Sequence, residues 1–168
     1  MVSLCCTRVI RDRLRLIGSL PLPERPTASL GNWYVHLGRF GHRQIVLATS
    51  ERSLLTVLLP ARDLRESIQS SFHEAVAELL TALQVPRDVV TRELRALRPI
   101  SFAAASNRKV IGSMNEFVWQ LGSYLSRTSD PLELSLQLSE TPMSAVGSKS
   151  SYGFPREVAQ ELLMGQKH

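Results

Sequence analysis

Between positions 63 and 83 apolar residues recur at a helical interval. Leu64, Ile68, Phe72, Ala75, Val76, Leu79, Leu80 and Leu83 form one wide stripe. Asp63 and Glu66 stand where the N-cap and third residue of a capping box belong. A stripe this wide needs a broad apolar surface to lie on. The residues before it offer one, in three short runs bounded by turn formers. Trp33, Val35 and Leu37 alternate with Tyr34 and His36. Gln44 to Thr49 is the second run, and Leu54 to Leu59, closed by Pro60, the third. With turns at Arg39 to Arg43 and Ser50 to Ser53, they read as an antiparallel meander. The expected architecture is α+β: a mostly antiparallel sheet of about five to six strands against roughly three to five helices in a single layer.

The other elements follow from the same patterns. Val2 to Thr7 reads as a strand and Arg8 to Ile17 as a helix ended by Gly18. Arg13 falls inside the apolar arc of Val9, Ile10, Leu16 and Ile17, where a guanidinium must snorkel or find an acidic partner. Pro21, Pro23 and Pro26 make residues 18–31 irregular. Pro86 starts a further helix, buried through Val90, Leu94 and Leu97 and ended by Pro99. Ile100 to Ala105 reads as a strand. Ser113 and Glu116 form a second capping-box pattern, so a helix is expected from Ser113 to Ser126, with Lys109 to Ile111 extended. Leu132, Leu134, Leu136 and Leu138 alternate strictly with polar residues, a strand signal. A short helix is expected from Pro155 to Met164. The chain of 168 residues suits a single domain over 1–168, with a flexible loop at 141–153 and a disordered tail at 165–168.

No run approaches the ~18 apolar residues of a membrane span, and no membrane association is expected. Arginines follow the short apolar run Val2 to Cys6 instead of preceding it, unlike a signal peptide. Cys5 and Cys6 are adjacent and cannot easily bridge each other, which fits a reducing, cytoplasmic setting. The formal charge is +5, from 17 Arg and 3 Lys against 15 carboxylates. Residues 1–52 hold the whole excess, with eight arginines against Asp12, Glu24 and Glu51. Such a lobe attracts polyanions. Arg8, Arg11 and Arg15 recur at three and four as one stripe, and with Arg39 and Arg43 they are the candidate nucleic-acid contacts. The aromatic residues of this lobe are few.

The blocks LCCTRVIRDRL, LGNWY, RQIVLATSERSLLTVLLPARD, SNRKVIGSMNEF and PREVAQELL come in an order that resembles a small bacterial family catalogued as a domain of unknown function. The match runs over roughly residues 3 to 163. The resemblance implies a bacterial cytosolic protein and supplies no activity, substrate or cofactor. This chain departs from the family's wording at Ser50, Lys109 and Glu116, where members read Asn, Ser and Asp. Those departures weigh against chemistry at these positions.

Candidate sites are few. Asn107, Arg108, Ser113, Asn115 and Glu116 gather an amide, a guanidinium, a hydroxyl and a carboxylate near a helix start, where free N–H groups can hold an anion. Capping of their own helix explains the same residues. Glu51, Arg52, Arg62 and Asp63 lie at hairpin ends, more often as turn residues and surface ion pairs. A thiol–imidazole pair of Cys5 or Cys6 with His36 would need proximity and exposure. No metal ligand set, phosphate loop, dinucleotide fingerprint or hydrolase elbow is present, so no metal or cofactor is expected. Catalytic residues are unassigned. The favoured expectation is a binding or regulatory protein contacting nucleic acid. A small enzyme with a site at 107–116 and a protein–protein module using an edge strand at 132–138 stay open beside it.

Overall fold

A computed structural model describes residues 1–146 and 153–165. One five-stranded sheet organises it, in the order β4-β3-β2-β1-β5. Here β1 is Val2–Cys6, β2 Trp33–Phe40, β3 Arg43–Ser50, β4 Thr56–Pro60 and β5 Ile100–Ala104. β2, β3 and β4 form the expected antiparallel meander. β1 runs parallel to both β2 and β5, so the α+β sheet is mixed. All five residues of β1 are buried, as befits a strand between two parallel neighbours with both faces covered.

Six helices follow in chain order: α1 Arg8–Arg13, α2 Leu64–Ala82, α3 Arg87–Ala96, α4 Arg108–Tyr124, α5 Pro131–Ser139 and α6 Pro155–Leu163. They cover both faces of the sheet, where one layer was expected. Leu4, Cys6, Trp33, Val35, Val46 and Val57 pack with Ile10, Phe72, Val76, Val90 and Ala159. Alternate residues Cys5, Tyr34, Leu47 and Leu58 pack with Val110, Met114, Phe117, Leu134 and Leu138 on the other side. Period-two alternation in these strands therefore fills two cores, and few strand positions are left polar.

Three expectations are corrected. The leucines 132–138 are helical, not a strand, so strand addition there falls away. Asp130 caps this helix by accepting from the Leu132 amide, and Pro131 occupies its first turn. Leu134 and Leu138 enter one core, while Leu132 and Leu136 pack against the other. A helix lying along the β4 edge between two cores is apolar on opposite sides, which yields a leucine at every second position. The helix expected from Ser113 begins at Arg108 and is capped by Asn107, whose φ of −78° is ordinary. Asp63 does precede α2, but in the left-handed region (φ 53°) and without a side-chain cap bond. Residues 147–152 of the expected loop and 166–168 of the expected tail lie outside the described residues. Of the loop's described part, Met143 bridges Gly153 and is buried.

The long connection from α1 to β2 is held by side chains. Glu93 of α3 is 1% exposed and accepts from the Ser29 and Leu30 amides at 2.9 and 3.0 Å. Asn32 Oδ1 accepts from the Ser3 amide, and Glu51 Oε1 accepts from the Asn32 amide. Gly31 has φ +78°, and a Cβ there would sit 2.8 Å from Glu51 Oε1, so both conformation and space demand glycine.

Candidate functional site

α1 is shorter than its apolar spacing predicts. It ends at Arg13, and Arg15 turns into the left-handed region at φ 55°. That turn breaks the expected stripe. Arg8 stays exposed at the helix start, while Arg11 donates to the Gly18 carbonyl at 2.7 Å. Arg15 swings away toward the far end of β2. There Arg39 stands opposite Gln44, on the face that α1 covers.

Arg13 joins them from beneath. It is half-buried and donates to Gln44 Oε1 at 2.7 Å and to the Ala61 carbonyl at 3.5 Å. Of the two expected outcomes, snorkelling or an acidic partner, no acidic partner is found among the described residues. Neutral oxygens satisfy the guanidinium and leave its charge uncompensated. Val9, Asp12, Arg13, Arg15 and Arg39 line a shallow cleft of about 480 Å³. Three guanidiniums thus face one carboxylate. The side chains of Arg15 and Arg39 are exposed and make no ion pair or hydrogen bond among the described residues. Arg43 is separated from the cleft. It is paired with Phe40, on the opposite face, and donates to the Ser129 carbonyl at 3.4 Å. Two of the five candidate arginines, Arg15 and Arg39, therefore meet, and Arg13 completes the group.

The 107–116 segment is not gathered in the same way. Asn107 Oδ1 accepts from the Lys109 and Val110 amides, so the first turn of α4 is closed by its own cap. The Asn107 amide donates to the Tyr34 hydroxyl at 3.0 Å. Ser113 is buried and donates to the Lys109 carbonyl at 2.9 Å. Arg108, Asn115 and Glu116 are exposed. Arg108 and Glu116 are eight residues apart on one helix, about 12 Å along its axis. The hairpin-end residues serve structure: Arg52 donates to the Ala28 and Ser29 carbonyls, and Arg62 makes an exposed contact with Asp63 at 3.7 Å.

The thiols are buried on opposite faces of β1. Burial pushes Cys5 and Cys6 up to about 12 from an ordinary 9.0, although a hydrogen bond from Tyr34 opposes the rise at Cys5 and the Arg11 charge opposes it at Cys6. His36 shares a 2.9 Å hydrogen bond between Nδ1 and Thr7 Oγ1, and burial lowers its pKa. The imidazole is thus engaged with a hydroxyl, and the thiols are held protonated.

Sequence reasoning passed over Glu93. The signal was present, since Glu93 lies in the apolar arc of Val89, Val90 and Leu97, as Arg13 lies in its own.

A mixed sheet with helices on both faces defines an α+β protein, and Arg13, Arg15 and Arg39 line a cleft at one end of β2. The chain belongs to the family of the domain of unknown function DUF6933, whose model matches residues 3–158. No curated protein matches the chain, and no solved structure matches it. Among the described residues no helix is long and apolar enough to cross a membrane.

Proposed function

We propose that this chain is a cytoplasmic nucleic-acid-binding protein that holds a phosphate backbone in the cleft of Arg13, Arg15 and Arg39. One observation carries the reading: the three guanidiniums share one cleft against the single carboxylate of Asp12. Guanidinium forks suit phosphate oxygens, and a pre-placed Arg13 loses little freedom on contact. The positive lobe of residues 1–52 adds long-range attraction. Among the described residues none that lines the cleft is aromatic, which favours contact to backbone phosphate over stacked bases. The two free buried thiols support a reducing compartment.

Charge reversal tests the reading. Arg15→Glu with Arg39→Glu exchanges two exposed side chains and leaves the Arg13 bonds in place. Fluorescence anisotropy with labelled RNA and DNA at low salt should show a loss of roughly tenfold or more, with an unchanged circular dichroism spectrum. Equal affinity of variant and wild type would refute the cleft.

A further inference from the structure

The chain from residue 53 onward is balanced in charge, yet folding segregates its charges on α3. This helix turns Val89, Val90 and Glu93 inward. Of its two carboxylates, Glu93 is consumed by the Ser29 and Leu30 amides, which leaves Asp88 alone on the surface. The outward side consists of Arg87, Asp88, Thr91, Arg92, Arg95 and Ala96, and these line an open groove of about 940 Å³. Arg92 is fixed at the groove wall by donating to the Leu163 carbonyl at 2.6 Å. The side chains of Arg87 and Arg95 are exposed and make no hydrogen bond or ion pair among the described residues. They stand two turns apart, about 12 Å along the axis.

The helix is also mounted firmly. The four-residue turn Leu83–Pro86 joins it to α2, and Gln84 takes the left-handed conformation there. Its apolar side joins the same core as α2. The groove lies away from the cleft of Arg13, Arg15 and Arg39. α3 holds the loop that leads into the start of β2, while Arg39 stands near the end of that strand.

We infer that α3 is a second nucleic-acid contact, docking its Arg87–Arg95 side onto the phosphates of a duplex. This rests on the nucleic-acid reading above and adds to it a class of ligand. A rigid ten-residue helix, about 15 Å long, with a cationic side and no aromatic residue suits a duplex groove and its flanking phosphates. A single strand would be better served by a stacking platform, which the described residues lining this groove do not supply.

The test pairs Arg87→Glu/Arg95→Glu with the cleft variant Arg15→Glu/Arg39→Glu, each titrated with labelled duplex and single-stranded DNA over a range of salt. The α3 variant should bind duplex roughly tenfold or more weakly. The slope of log affinity against log salt should become shallower by about two, as two phosphate contacts are lost. Single-strand binding should change less. Arg87→Gln/Arg95→Gln, which adds no repulsion, should show the same change of slope with a smaller loss of affinity. A duplex affinity and slope equal to wild type in both α3 variants would overturn the inference. So would a single-strand loss as large as the duplex loss. If the cleft variant binds normally while the α3 variants do not, the cleft reading fails and α3 stands. The reverse result removes α3 and keeps the cleft.

Discussion

Burying a guanidinium without a carboxylate forfeits hydration, and Arg13 recovers part of it from the amide oxygen of Gln44 and the carbonyl of Ala61. The exchange leaves a positive charge at the base of the cleft, on which the proposed phosphate contact rests. Cys5 and Cys6 show the opposite response, since burial keeps them neutral. Both thiols retain their protons up to about pH 12, against 9.0 for an ordinary thiol. A group whose folded pKa is raised stabilises the fold fully below its unfolded pKa. That stability is lost as pH climbs from about 9 toward 12, because the unfolded chain sheds protons that the native state keeps. Urea unfolding at several pH values across this window should show the wild type losing stability faster than Cys5→Ala/Cys6→Ala. Parallel pH profiles would contradict the assignment. At neutral pH neither thiol should react with a disulfide reagent until the chain unfolds.

At the scale of elements, α3 depends on a buried carboxylate. Glu93→Ala would leave the Ser29 and Leu30 amides without acceptors, at about 1–3 kcal/mol each. A destabilisation of roughly 3 kcal/mol is expected as a lower denaturation midpoint, whereas an unchanged midpoint would show that the clamp contributes nothing. Element types were readable from sequence where an apolar stripe or a turn marks them. α2, with one face on the core, follows its stripe, and the β2–β4 meander, buried on both faces, is marked by its turns. α5 was misread because its leucines serve two cores, so a helix acquired a strand's period. α4 was started too late because Ser113 with Glu116 imitates a capping box, while Asn107 performs the capping and Gly112 sits exposed inside the helix. A local cap motif cannot reveal which of two competing caps the tertiary structure uses.

At the scale of the whole molecule, the mixed topology places β1 between two parallel neighbours, and helices cover both faces. The basic lobe was visible as a count, but its surface was not. Arg11 and Arg43 turn to carbonyls, and Arg15 and Arg39 meet Arg13 because α1 stops early. On α3 the opposite happened: a balanced count concealed a cationic face, because one carboxylate points inward. Charge that is neutral along the chain can be sorted by burial, and sequence totals carry no record of that sorting.

The central claim is that unneutralised guanidiniums bind a phosphate backbone, and salt dependence measures it most directly. The observed affinity of the wild-type protein for a labelled duplex should fall linearly on a log–log plot against salt. Contacts from Arg13, Arg15, Arg39, Arg87 and Arg95 predict a slope of about −4.5. An affinity indifferent to salt, or no binding at low salt, would contradict the account.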